Sequence, residues 1–247
     1  MRRLLTTAMA IALFIPSLRA GDLTLTMSTT GRGHEGKQTH LWSARFMRIN
    51  HPEGQRDTLV DFTQGIHYTI DHKKKVIQKM SWEDLEVAME GMAERMKNLP
   101  AFAQKLMGGG DGGAQVAVEE QGSETLLGRK CRKWKVTMGS TVMESSNDPT
   151  LKPPTPVGSY KRFLRLQHAI GQMGPGASSM LKFGEELAKV QGIALRTHQV
   201  MPIVGELTSV ATELREGPIP ESAFALPEGY KLEDAGKKMR ESLAKGR

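Results

Sequence analysis

The chain of 247 residues contains one cysteine, Cys131, and so can form no internal disulfide. The thiol is either a small buried hydrophobe in a strand or a free thiol in an oxidising compartment. Four basic neighbours, Arg129, Lys130, Arg132 and Lys133, would lower its pKa if it were exposed. Strand alternation puts Cys131, Lys133 and Lys135 on one face and Arg132, Trp134 and Val136 on the other, which leaves its burial open. Beyond the first twenty residues there is no apolar run of membrane-spanning length. There is also no large excess of one charge. The formal +7 is spread along the chain and mixed with acids, which is not a nucleic-acid footprint.

Motifs of catalysis are missing too. The chain has no Gly-x-Ser-x-Gly elbow, no dinucleotide fingerprint and no zinc-protease helix. "GGGDGG" at 108–113 lacks the Lys-Ser/Thr of a phosphate-binding loop. No spacing selects a catalytic carboxylate pair among Asp57, Asp61 and Asp71. These absences predict a non-enzymatic protein without a cofactor. The seven histidines include no His-x-x-x-His frame. His67 and His72 are an odd number of residues apart, so in one strand they face opposite sides and share no metal. Lys73, Lys74 and Lys75 beside Asp71 read as a solvated hairpin end or as an anion-binding patch.

What is present begins with "MRRLLTTAMAIALFIPSLRA". Arg2 and Arg3 precede an apolar run from Leu4 to Ile15, then Pro16 and Leu18-Arg19-Ala20. This is the layout of a secretory signal peptide over residues 1–20, cleaved after Ala20, and it predicts a periplasmic or secreted mature chain. No cysteine follows the cleavage point, so no lipid anchor is indicated there. Cleavage removes three arginines and no acid, lowering the formal charge from +7 to +4.

The mature chain alternates between two periods. "DLTLTMSTT" sets Leu23, Leu25 and Met27 against threonines, a half-buried strand. "KQTHLWSARFMRI" reads as one strand with Trp42, Ala44, Phe46 and Arg48 on one face. "DTLVDF", "IHYTI" and "KVIQKM" make a meander. "SWEDLEVAMEGMAERMKNL" then carries Leu85, Met89, Met92, Met96 and Leu99 at steps of four, three, four and three, a helical stripe. Ser81 and Asp84 form a capping box at its start, and Glu83, Asp84 and Glu86 suit the positive end of its dipole. "AFAQKLM" adds helical turns after Pro100, and "GGGDGG" is a loop. Strands return in "AQVAVEEQ", "SETLLGRKCRKWKVTM" and "STVMESS", and "NDPTLKPPTPVGS" is an ordered surface loop. "YKRFLRLQHAIGQM" and "ASSMLKFGEELAKV" are helices, and "IALRTHQVMPI" with "GELTSVATELREG" is a final hairpin. The charged tail, 232–247, is expected to fray. The pattern is α+β, one domain over 21–231, with a curved antiparallel sheet, a half-barrel, wrapped around the long Met-rich helix.

Four stretches together resemble domain-of-unknown-function family 4412, an exported bacterial group. They are "YTIDHKKKVIQKM" after "VDFTQG", "GSETLLGRKCRKWKV", "VQGIALRT" and "PIPESAFALPEGYK". At a greater distance they look similar to half-barrel envelope proteins, the lipoprotein carriers, their outer-membrane receptor and a periplasmic stress regulator. The resemblance implies an antiparallel sheet curled around helices, often with an apolar cavity. It implies no catalytic residue.

The Met-rich stripe carries three readings. It is an ordinary core stripe, a wall of adaptable thioethers for a hydrophobic or lipid ligand, or a Cu(I) site with Met80 joining from the preceding strand. The functional expectation is an exported binding protein that holds an apolar ligand against Leu85, Met89, Met92, Met96 and Leu99. The alternative is an envelope interaction or sensor module with a filled core and a protein partner.

Overall fold

A computed structural model of the chain describes residues 21–31, 35–51, 54–97, 100, 116–138, 141–171, 189–201 and 205–245. The signal-peptide segment, "AFAQKLM", "GGGDGG" and nearly all of "ASSMLKFGEELAKV" lie outside these. So do Leu99 and the side chains of Met89, Met92 and Met96.

The first half is a run of short strands: β1 (Leu23–Gly31), β2 (Gly36–Trp42), β3 (Phe46–Asn50), β4 (Arg56–Asp61), β5 (Ile66–Asp71) and β6 (Val76–Ser81). Helix α1 (Trp82–Lys97) follows directly. Then come β7 (Val116–Leu126), β8 (Arg129–Met138), β9 (Thr141–Asp148), α2 (Val157–Gly171), β10 (Ile193–Met201) and β11 (Gly205–Glu216). A short 3-10 turn (Glu221–Phe224), β12 (Lys231–Asp234) and α3 (Ala235–Lys245) end the described chain. All strands join one open, curved sheet in the order β12-β6-β5-β4-β3-β2-β1-β11-β10-β9-β8-β7. Every pairing is antiparallel except β12 on β6. The α+β expectation with a curved antiparallel sheet holds at this level; a Met-rich helix inside the curve lies outside the described side chains.

The strand registers explain the core. They line up Leu23, Trp42, Met47, Val60, His67 and Met80 across six strands. Period-2 alternation turns this row to one face, where Trp82 and Leu85 of α1 and Phe163 and Leu166 of α2 belong to the same buried cluster. The capping box forms as the sequence predicts. The Asp84 N–H donates to Ser81 Oγ at 3.1 Å, and the Ser81 N–H donates to Asp84 Oδ2 at 3.3 Å. These bonds satisfy N–H groups at the helix start that would otherwise lack partners.

Three expectations need correction. "KQTHLWSARFMRI" is two strands, because the chain turns at Ser43–Arg45. The Ser43 N–H donates to the Phe46 carbonyl at 2.8 Å, and the Phe46 N–H donates back to Ser43 Oγ at 2.9 Å. The turn pairs Trp42 with Met47, so Met47 rather than Phe46 shares the buried face of Trp42. The Pro-rich loop is also not merely superficial. Leu151 and Thr155 are buried, and Thr155 Oγ1 donates to the Ser43 carbonyl at 3.2 Å. Finally, the charged tail forms β12 and α3 instead of fraying.

The tail is fixed by close contacts. Segment 217–230 crosses the second face of β3–β6, where Phe224 is buried with Leu59, Ile70 and Ile77. Arg48 bonds Asp57 Oδ2 at 2.7 Å and donates to the carbonyls of Ala223 and Ala225 at 3.1 and 3.0 Å. Gly236 sits so close to the Asp84 carboxylate that a side chain there would collide with it, and Arg240 pairs with Asp84.

Candidate functional site

Each face of the sheet offers different chemistry. In the apolar row, His67 stands between Val60 and Met80. Burial pushes its imidazole down to about 4, so it is neutral at pH 7. His40 lies one row away, opposite Leu25 and Ile49. Burial, helped by His51, pushes it to about 4 as well. A side-chain chain runs from His40 through Gln38 (3.3 Å) to His51 (3.0 Å). The indole N–H of Trp42 is buried and has no hydrogen-bond partner among the described residues.

His72 lies elsewhere, as the odd spacing predicts. Its Nε2 is 3.0 Å from Asp57 Oδ2 and its Nδ1 is 3.0 Å from the Tyr230 hydroxyl, beneath the segment that crosses the second face. It fastens the tail and does not meet His67. Among the described residues no group of three or more His, Cys, Asp or Glu is placed to hold a metal ion. The lysine turn is tied down locally. The Lys74 N–H donates to Asp71 Oδ1 at 2.8 Å, and the Lys75 carbonyl accepts from the Lys231 N–H at 2.9 Å. Lys74 keeps its ammonium exposed, 3.8 Å from Asp71.

Of the stripe read from sequence, Leu85 is buried in the core cluster at 4% exposure. Met89, Met92, Met96 and Leu99 lie outside what is described. Cys131 is fully buried. Burial first, then the nearby Asp148 carboxylate, raises its thiol pKa and keeps it protonated. The reactive-thiol reading fails here because the sulfur is buried. Arg129 pairs with Asp148 at 2.8 Å and with Glu216.

A cleft that sequence reasoning missed opens on β7–β10. The registers align Gly122, Lys133, Ser146 and Arg196 across four strands, with Glu144 and His198 in the adjoining row. Ser146 is small, so the row dips between the long side chains of Lys133 and Arg196. The resulting cleft has a volume of about 120 Å³. Glu124 leans into it: Ser146 Oγ donates to Glu124 Oε1, and Arg196 Nη1 bonds Glu124 Oε2 at 2.6 Å. His198 Nδ1 is engaged by Thr208 Oγ1 at 2.9 Å, which orients the ring. Gly122, which separates "AQVAVEEQ" from "SETLLG" in the sequence, lies inside the single strand β7 and marks a bulge. The register shifts between Glu120 and Gly122, where φ is +103°.

No protein-family model matches the chain, and no curated protein matches it. The resemblance to family 4412 therefore rests on the quoted stretches alone. Solved structures are similar at low identity. An uncharacterized conserved protein from Thermus thermophilus is 10% identical, with a TM-score of 0.45 over 87% of this chain and 91% of that one. A chain of the Pseudomonas aeruginosa MucA/MucB complex is 10% identical, with a TM-score of 0.40 over 85% of this chain and 56% of that one. A LolA superfamily protein from Nitrosomonas europaea is 7% identical, with a TM-score of 0.28 over 83% and 90%. At such scores none of them transfers a function.

Proposed function

We propose that this chain is a non-enzymatic binding protein of the bacterial envelope that holds an apolar ligand, such as an acyl chain, between the sheet and α1. The observation that carries the reading is the row Leu23, Trp42, Met47, Val60 and Met80, gathered with Trp82 and Leu85 at the start of α1. Sequence spacing places Met89, Met92, Met96 and Leu99 on the stripe that Leu85 opens. Thioether side chains adapt to varied apolar shapes, so a stripe of them suits a ligand without fixed geometry. Export follows from the first twenty residues, and no described helix is long and apolar enough to cross a membrane. The mature domain, with β12 and α3 part of it, then works in the periplasm or outside the cell.

Native mass spectrometry of protein purified from an envelope extract tests the reading. An adduct of acyl-lipid mass is expected, lost on delipidation and regained with fatty acid. Met92→Gln combined with Met96→Gln should reduce its occupancy. Reproducible absence of lipid, with no binding of an apolar dye, overturns the proposal.

A further inference from the structure

The β7–β10 cleft has a charge pattern that the core reading does not use. Glu124 is committed to Ser146 and Arg196. Lys133 and Glu144 also line the cleft, and among the described residues neither side chain makes a hydrogen bond or ion pair. Glu144 stands opposite Lys135 in the strand register without bonding to it. Two acids, Glu124 and Glu144, therefore balance two bases, Lys133 and Arg196, around one cleft. A balanced lining favours neither a simple anion nor a simple cation. Its uncommitted charges are one of each sign, on the neighbouring strands β8 and β9. At about 30 Å³ per water in the liquid, a space of 120 Å³ holds only a compact polar group.

We infer that this cleft binds a compact zwitterion, with Lys133 meeting its anionic group and Glu144 its ammonium. Arg196 stays neutralised by Glu124 and forms a fixed wall. His198, held by Thr208, presents its remaining ring nitrogen as a hydrogen-bonding group. The ligand chemistry is shared by a free amino acid and by the phosphoethanolamine headgroup of a phospholipid. The inference does not depend on an apolar ligand beneath α1.

Calorimetric titration of the mature protein tests it with L-alanine and O-phosphoethanolamine as probes, and acetate and ethylamine as single-charge controls. At least one zwitterion should bind roughly tenfold or more tightly than either control. Lys133→Met and Glu144→Gln should each weaken it roughly tenfold, the equivalent of one lost charged contact. Both variants should keep the thermal midpoint of the parent and its acyl-lipid occupancy, which separates failure here from failure of the reading above. Co-sedimentation with phosphatidylethanolamine vesicles but not phosphatidylglycerol vesicles, lost in both variants, assigns the zwitterion to the lipid headgroup. Binding of the free probes without co-sedimentation assigns it to a free molecule. The inference is overturned if neither zwitterion binds, if acetate or ethylamine binds as well, or if both variants bind like the parent.

Discussion

The β1–β6 wing and the β7–β10 wing use the same antiparallel pairing and reach opposite ends. In the first, an apolar row faces helices on one side, while the other side is crossed by segment 217–230. In the second, a cross-strand row of glycine, lysine, serine and arginine stays open and forms a cleft. Backbone hydrogen bonding does not decide between these outcomes. The side chains that register brings into one row do. Core stability should therefore be concentrated in the first wing and recognition of polar groups in the second, and each substitution below tests that division.

The largest effect is expected at Arg48→Met. It removes the 2.7 Å partner of buried Asp57 and two bonds to the crossing segment. Leaving a buried carboxylate without its charged partner costs about 3–5 kcal/mol, which chemical denaturation would register. Leu25→Ala in the core, where Leu25 is 1% exposed, should cost about 2–5 kcal/mol. Acid comes next. His67 and His40 are held near 4 when folded but titrate at about 6.5 when unfolded, so the unfolded chain takes up protons first as pH falls. Their contribution is complete above 6.5 and is lost progressively toward 4, about 3 kcal/mol each. His67→Leu should flatten the slope of stability against pH in that window. The smallest effect belongs to the other wing. Lys133→Met should change stability by less than about 0.5 kcal/mol. A large loss of stability at Lys133, or none at Leu25, would erase the division.

Much of the first wing was legible in the sequence. The alternation of Leu23, Leu25 and Met27 fixed β1, and the Ser81/Asp84 pair marked the start of α1 to the residue. The turn at Ser43 was missed because apolar residues flank it in a phase that also fits an unbroken strand. β12 was missed because Lys231–Asp234 has no apolar pattern; it holds its place through parallel backbone pairing with β6. The cleft was hidden for a deeper reason. Its row draws one residue from each of four strands, and no local window contains a register. Gly122 was a clue to a bulge, not to the company it keeps.

The partners of the crossing segment lie far away along the chain: β12 closes on β6, and Arg48 reaches Ala223 and Ala225. A polypeptide is made from its N-terminus. The first wing must therefore wait, with a bare β6 edge and an uncovered apolar face, until its last thirty or so residues arrive. During that interval it is a template for strand-to-strand aggregation. Premature termination after residue 216 would leave the β6 edge bare and that apolar face uncovered.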